Sequence, residues 1–214
     1  MPRTARPAAA SRPSRAAARG EAAAAAPGRF PVLRLVRNLA LAVVPVVLVW
    51  LLVTPFYNRF LTYAGANLVR WTESPNVTTL TPALEDRHYA WIDRDDFPPA
   101  RRRVGSLRLT DLHFPLVMLG TLFLAVPDVP WRERLANLGW ALLLLVFFHL
   151  ALVLFHVKFA YATQLGDWSF DHYGAFRRNF WGLGKHLLDL PIKLALPLAL
   201  WVGFYYPRLV PRRG

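Results

Sequence analysis

The sequence predicts an all-α membrane protein: four transmembrane helices with a small extracytoplasmic α+β loop region. Three observations carry this. Residues 135–157, LANLGWALLLLVFFHLALVLFHV, pass without one Asp, Glu, Lys or Arg. At about 1.5 Å per residue, a helix of that length crosses a hydrocarbon core of about 30 Å. Hydrophobic residues make up 55% of the 214 and charged ones only 18%, which leaves room for several such helices. The arginines also stand at alternate ends of the apolar runs: Arg29, Arg34 and Arg37, then Arg132 and Arg134, then Arg208, Arg212 and Arg213. By the positive-inside rule, both termini are cytoplasmic.

Residues 1–28 are Ala, Arg, Pro and Ser with a single acid, Glu21. Without apolar periodicity this stretch cannot offset its ordering entropy, and it reads as a disordered basic cytoplasmic tail. An organelle transit peptide is the rival, being also Arg- and Ser-rich and poor in acids. Residues 38–57 form the first span, in which Pro45 predicts a kink that neighbouring helices tolerate. An uncleaved signal anchor is preferred to a cleaved signal peptide, because Ala64-Gly65-Ala66 lies far beyond the apolar run.

Residues 58–111 form the first extracytoplasmic loop. Around its start Tyr57, Leu61, Ala64, Leu68 and Trp71 recur at helical spacing, with Arg59 and Arg70 off the stripe. This predicts a short amphipathic helix at the membrane surface, ended by Pro75. Residues 77–81, 88–92 and 104–109 are β-prone runs separated by Pro, Asp and Gly, and predict a small antiparallel sheet. Residues 112–127 are the second span, short for its task, but the chain must return to the basic side before the third. Residues 128–134 are the cytoplasmic turn and 135–157 the third span. The extracytoplasmic loop 158–185 is dense in aromatics and reads as an interfacial belt. The fourth span, 186–206, is broken by Pro191 and Pro197, and 207–214 is a basic cytoplasmic tail.

The net charge of +13 sits mostly in the tails and the short turn. Topology and anionic lipid explain it, so the bilayer is the expected partner and nucleic acid is not. The absence of cysteine excludes a disulfide framework, a thiolate zinc site and a cysteine nucleophile. No phosphate-cradling glycine loop, nucleophile elbow or HExxH occurs. No catalytic residue, metal or cofactor is therefore assigned.

The candidate polar residues fall into two groups. Within the membrane, His149 and His156 lie seven apart on one face of the third span. Ionisable groups at that depth are costly and default to a functional hypothesis, against the simpler reading that each imidazole bonds a neighbouring helix. A single haem between them is disfavoured, since its axial ligands approach from opposite sides. His186, Asp189 and Lys193 share a face of the fourth span, and Asp189 and Lys193 suit an i,i+4 ion pair or a polar pocket open to the outer surface. In the outer loop, Asp167, Asp171 and His172 precede Arg177 and Arg178. Their spacing matches no metal motif. They read as a headgroup-facing charge cluster, or as a grip on a carboxylate or lipid phosphate.

LTYAGANLVRW after the first anchor, and LVMLGTLFLAVPDVPWRERLANLGWALLLLVFFHLALVL across the second and third spans, resemble the exosortase-associated integral membrane proteins of bacteria. In the second stretch an apolar helix ends in Ala-Val-Pro, a Trp-Arg-x-Arg-Leu turn follows, and the next helix carries a polar residue. The resemblance covers about residues 60 to 160. Exosortases process proteins bearing a C-terminal sorting helix and use an outward-facing Cys, which this chain lacks. The resemblance therefore implies a non-catalytic accessory subunit of an envelope protein-sorting or export system, multi-pass in the inner (cytoplasmic) membrane. An exosortase or a client's sorting helix would be its protein partner. The reading from a different class is a membrane enzyme or transporter that uses His149, His156, His186 and Asp189 for proton or metal chemistry.

Overall fold

The computed structural model describes residues 32–83 and 86–209. The tail expected over 1–28, Arg29, and Arg212 and Arg213 of the C-terminal tail lie outside the described residues. Within the unit Pro31–Tyr206 the chain packs on itself.

Helix α1 spans Val32–Trp71 and is 40 residues long. Pro45 and Pro55 lie inside it. The sequence predicts a membrane span followed by a separate surface helix; the structure instead runs one helix through both. The buried stripe is also rotated from the expected one. Thr54, Asn58, Leu61, Thr62, Gly65, Ala66 and Val69 are covered, whereas Trp71 is 86% exposed. The reason is close approach: small side chains let other backbones come near, and the polar ones are satisfied locally. Thr54 and Thr62 donate to the carbonyls of Trp50 and Asn58, four residues earlier.

Three strands follow, β1 Thr78–Pro82, β2 Tyr89–Arg94 and β3 Arg103–Arg108, antiparallel in the order β1-β2-β3. Leu80 pairs with Ile92 and Ala90 with Leu107. Alternation therefore puts Leu80, Ala90, Ile92 and Leu107 on one face. That face packs on Leu61 and Val69 of α1 and on residues 152–161 of α4.

Helix α2, Leu109–His113, and helix α3, Pro115–Ala125, divide the expected second span. Pro115 supplies no N–H, which interrupts the hydrogen-bond ladder, while Phe114 keeps helical dihedrals, φ −53° and ψ −34°, so the two pieces follow on from one another. Helix α4 is Trp131–Thr163, 33 residues. The expected aromatic loop is largely helical, as α5 Asp167–His172 and α6 Ala175–Leu187. A π-turn, Leu188–Ile192, absorbs Pro191 before α7, Lys193–Leu209. Val32–Trp71, Trp131–Thr163 and Ala175–Arg208 are long and apolar enough to cross a membrane, and Leu109–Ala125 is a shorter apolar helix.

One end of the bundle gathers the basic flanks. Arg34 pairs with Asp128 at 3.0 Å, and Asn38 donates to the Ala125 carbonyl. The Arg134 guanidinium donates to the Leu124 carbonyl, which the end of α3 leaves without a helical partner, and to the Val129 carbonyl in the turn before α4. Phe204 and Tyr205 of α7 pack edge-on against Phe123. The sheet occupies the opposite end, on residues 61–69 of α1.

α1 and α4 touch at Gly65. A Cβ added there would lie 2.6 Å from Val153 Cγ1. Overpacking costs about 1–3 kcal/mol, more than the roughly 1 kcal/mol that alanine gains over glycine in a helix. Gly65→Ala should therefore lower the melting temperature in detergent, and Val153→Ala in the same chain should recover part of the loss. A Gly65→Ala protein as stable as the parent would contradict this packing.

Candidate functional site

Three of the five polar residues singled out in the third and fourth apolar runs, His156, Asp189 and Lys193, converge at one place, on the π-turn. Lys193 donates to Asp189 Oδ1 at 2.8 Å. Lys185, one turn earlier, lies 3.2 Å from Oδ2. His156 Nε2 of α4 lies 3.7 Å from the same oxygen. All four side chains are largely shielded, Asp189 being the most exposed at 28%. The carboxylate thus ties the helix together across its proline break, with one lysine on each side. Lys185 was missed in the sequence, although its i,i+4 spacing to Asp189 is the signal that marks Lys193.

The tautomer of His156 follows from its partners. Nδ1 sits 2.8 Å from the Leu152 carbonyl, so it carries the hydrogen and donates. Nε2 of the neutral ring therefore presents a lone pair to Asp189, at a distance too long for a hydrogen bond. A proton arriving at Nε2 would convert the contact into an ion pair. This group can hold a proton beside two fixed ammoniums and one carboxylate.

His149 stands apart from that cluster. It is fully buried, and its Nδ1 meets the Tyr57 hydroxyl at 2.8 Å. Its Nε2 has no partner among the described residues. Spacing placed the two histidines on one face, but two turns apart they meet different helices, α1 for His149 and the π-turn for His156. His186 bonds neither; its ring lies edge-on to Phe159, centroids 5.7 Å apart.

A histidine not singled out in the sequence has the most complete set of bonds. Trp50 Nε1 donates to His113 Nδ1 at 3.0 Å, so His113 Nε2 carries the hydrogen and donates to Asn58 Oδ1 at 2.7 Å. Asn58 in turn donates to the Arg87 carbonyl. Both ring nitrogens are used, which makes His113 a strut between α1 and α2.

At the sheet end, Lys158 donates to Glu73 Oε1 at 3.0 Å, both side chains being 9% exposed. The other oxygen, Oε2, accepts from the Thr78 hydroxyl at 2.6 Å and from its backbone N–H at 3.2 Å. A carboxylate only accepts, so the Thr78 hydroxyl is the donor there, and Tyr161 must donate to Thr78 Oγ1 at 2.7 Å. Beside this knot, Arg94 stacks on Trp168 at 4.3 Å, Tyr161 at 4.8 Å and Phe97 at 5.0 Å, and it grips Asp96 through two bonds. The hydrogen bond from Arg94 outweighs burial and holds the Asp96 carboxyl below its ordinary value.

The residues singled out between 158 and 185 are not brought together. His172 stacks on Trp168 and donates to its carbonyl. Arg178 lies over Phe170, 4.4 Å from its centroid, while Asp167, Asp171 and Arg177 are exposed. Among the described residues no three His, Asp or Glu side chains come close enough to share a metal ion.

The Asp189 cluster predicts unequal variants. Lys193→Met leaves the carboxylate with Lys185 and should cost little. Asp189→Asn strands two shielded ammoniums and should cost about 2 kcal/mol, below the range for fully buried pairs. Membrane abundance and thermal unfolding would show it, and equal effects would contradict the shared carboxylate. The Asp96 pair predicts an acid response. Because the folded-state value lies below the unfolded 3.8, its contribution is complete at neutral pH and is lost as pH falls below about 4. Tryptophan fluorescence from Trp168 should report an acid transition that Asp96→Asn removes. An unchanged profile in that variant would contradict it.

No family model matches this chain, and no curated protein or solved structure does.

Proposed function

We propose that this chain is a non-catalytic accessory membrane subunit of a bacterial envelope protein-sorting system of the exosortase type. In this reading four segments cross the inner membrane, both termini are cytoplasmic, and the sheet stands outside. The observation that carries the reading is the coupling of the sheet to the long apolar helices through Glu73, Thr78, Lys158 and Tyr161. Such coupling holds a small folded surface at fixed height and orientation over a bilayer. A subunit that positions a partner or a client's sorting helix needs just this. The face turned away from the bundle carries Arg103 over Trp91 and Arg108 over Tyr89, residue types enriched at protein interfaces.

The threading is supported by the shared end of the basic flanks, where Arg34 meets Asp128 and Arg134 caps the end of α3. Leu109–Ala125 is the least comfortable crossing. Its 17 residues reach about 25 Å, a shortfall that local bilayer thinning accommodates. A second reading, a membrane enzyme or transporter, has one observation in its favour: the His156 Nε2 lone pair facing Asp189.

A reporter inserted near Pro99 should read extracytoplasmic and one fused after Gly214 cytoplasmic; the same side for both would contradict the threading. A photo-crosslinking residue at Trp91, in native membranes, should trap an envelope-processing membrane protein or its client. The same residue at Leu52, on the lipid-facing side, should not. Identical adducts at both positions would contradict the role. His156→Gln should leave client processing intact, and lost processing at normal abundance would favour the second reading.

A further inference from the structure

A groove of about 320 Å³ runs along α1 between Pro45 and Tyr57 and is closed by α3 and α4. Its volume falls in the range of ligand sites. Val46, Val53, Leu116 and Leu142 give it apolar walls. Twelve residues of helix amount to about 18 Å, somewhat more than half of a hydrocarbon core of about 30 Å. The groove is long and apolar enough to take a single hydrocarbon chain.

Four lining residues have polar side-chain atoms, and three are already spent. Trp50 donates to His113, His113 uses both nitrogens, and Thr54 bonds its own helix. Tyr57 remains, bonded through its hydroxyl to His149. That pair holds two polar hydrogens, one on the hydroxyl and one on the neutral ring, and has one bond between them. One hydrogen therefore lacks an acceptor in either tautomer. If Tyr57 donates, the unmet donor is the buried His149 Nε2, which has no partner among the described residues. If His149 donates, the Tyr57 hydrogen is free at the outer end of the groove. An acceptor held there selects the second arrangement and takes the hydroxyl hydrogen, so that no polar hydrogen of the pair is left unmet and only the His149 Nε2 lone pair stays unused.

We propose that the groove binds one acyl chain of an outer-leaflet glycerophospholipid, whose ester carbonyl accepts from the Tyr57 hydroxyl. The inference rests on the threading proposed above. It places the polar hook where ester groups lie and the apolar channel beneath it. The site would make a specific lipid part of the α1–α3–α4 contact.

The test uses the full chain, purified and reconstituted in phosphatidylcholine vesicles doped with a phosphatidylcholine that carries a photoreactive acyl chain. After irradiation, adducts are mapped by peptide. They should concentrate on the groove and saturate with increasing probe. Val49→Phe, at the groove mouth, should reduce them several-fold, and Tyr57→Phe should also reduce them. Leu52→Phe, on a lipid-facing side, should leave them unchanged. Adducts spread evenly over all apolar helix faces, or unaffected by Val49→Phe, would overturn the site. Adducts on no helix would overturn the threading and the site with it. Groove labelling lost in native membranes, where a protein adduct takes its place, would show a partner chain as the occupant and overturn the lipid. Because the assay needs no client or partner, a failed sorting role would leave its result unaltered.

Discussion

The buried pair of Glu73 and Lys158 constrains the rest of the fold. Moving two such charges out of water costs several kcal/mol each, and their attraction repays this only when every remaining donor and acceptor is met. Here Lys158 takes one carboxylate oxygen, while Thr78 takes the other with its hydroxyl and its N–H. The partners are 85 residues apart in sequence. To deliver Glu73 to Lys158, α1 must continue well past the last residues that suit hydrocarbon. To deliver Thr78, β1 must begin at once after the turn. The sheet then has one place to go, against residues 152–161 of α4. Arg94 follows, stacked on the ring of the same Tyr161 that bonds Thr78.

The opposite end is organised by weaker means. Single contacts such as Arg34 with Asp128, more than half exposed on both sides, contribute little energy. They record which chain ends are neighbours. Away from that end the bundle relies on shape, with Gly65 under Val153 and Gly184 under the ring of Phe155. The polar side chains in this region are short of water and therefore bonded to one another, as Trp50, His113 and Asn58 are.

Much of this was legible in the sequence where one physical signal dominates. Residues 135–157 read as a helix because no charge interrupts them. The strands read as strands because Thr, Val, Tyr and Ile alternate between Pro, Asp and Gly, and each lies within two residues of its expected run. The C-terminal half of α1 was not legible. Its buried face mixes Leu61 and Val69 with Asn58, Thr62, Gly65 and Ala66, a set with no continuous apolar stripe, which the sheet and α4 cover together. The Asp189–Lys193 pair was visible from its spacing, and Lys185 was visible on the same rule. Glu73 with Lys158, and Tyr57 with His149, carry no local signal because their partners come from distant helices. Seven-residue spacing put His149 and His156 on one face, yet what each meets depends on which helix passes at that depth.

The central claim is that sheet and bundle form one unit, held by the Glu73–Lys158 knot. Amide hydrogen exchange tests it most directly. Leu80 and Ile92 of the strands should exchange in the same slow class as Val157 and Tyr161 of α4, and Lys158→Met should speed all four together. Strand amides that exchange freely while α4 stays protected, in the parent protein, would show a loosely tethered sheet and contradict the account.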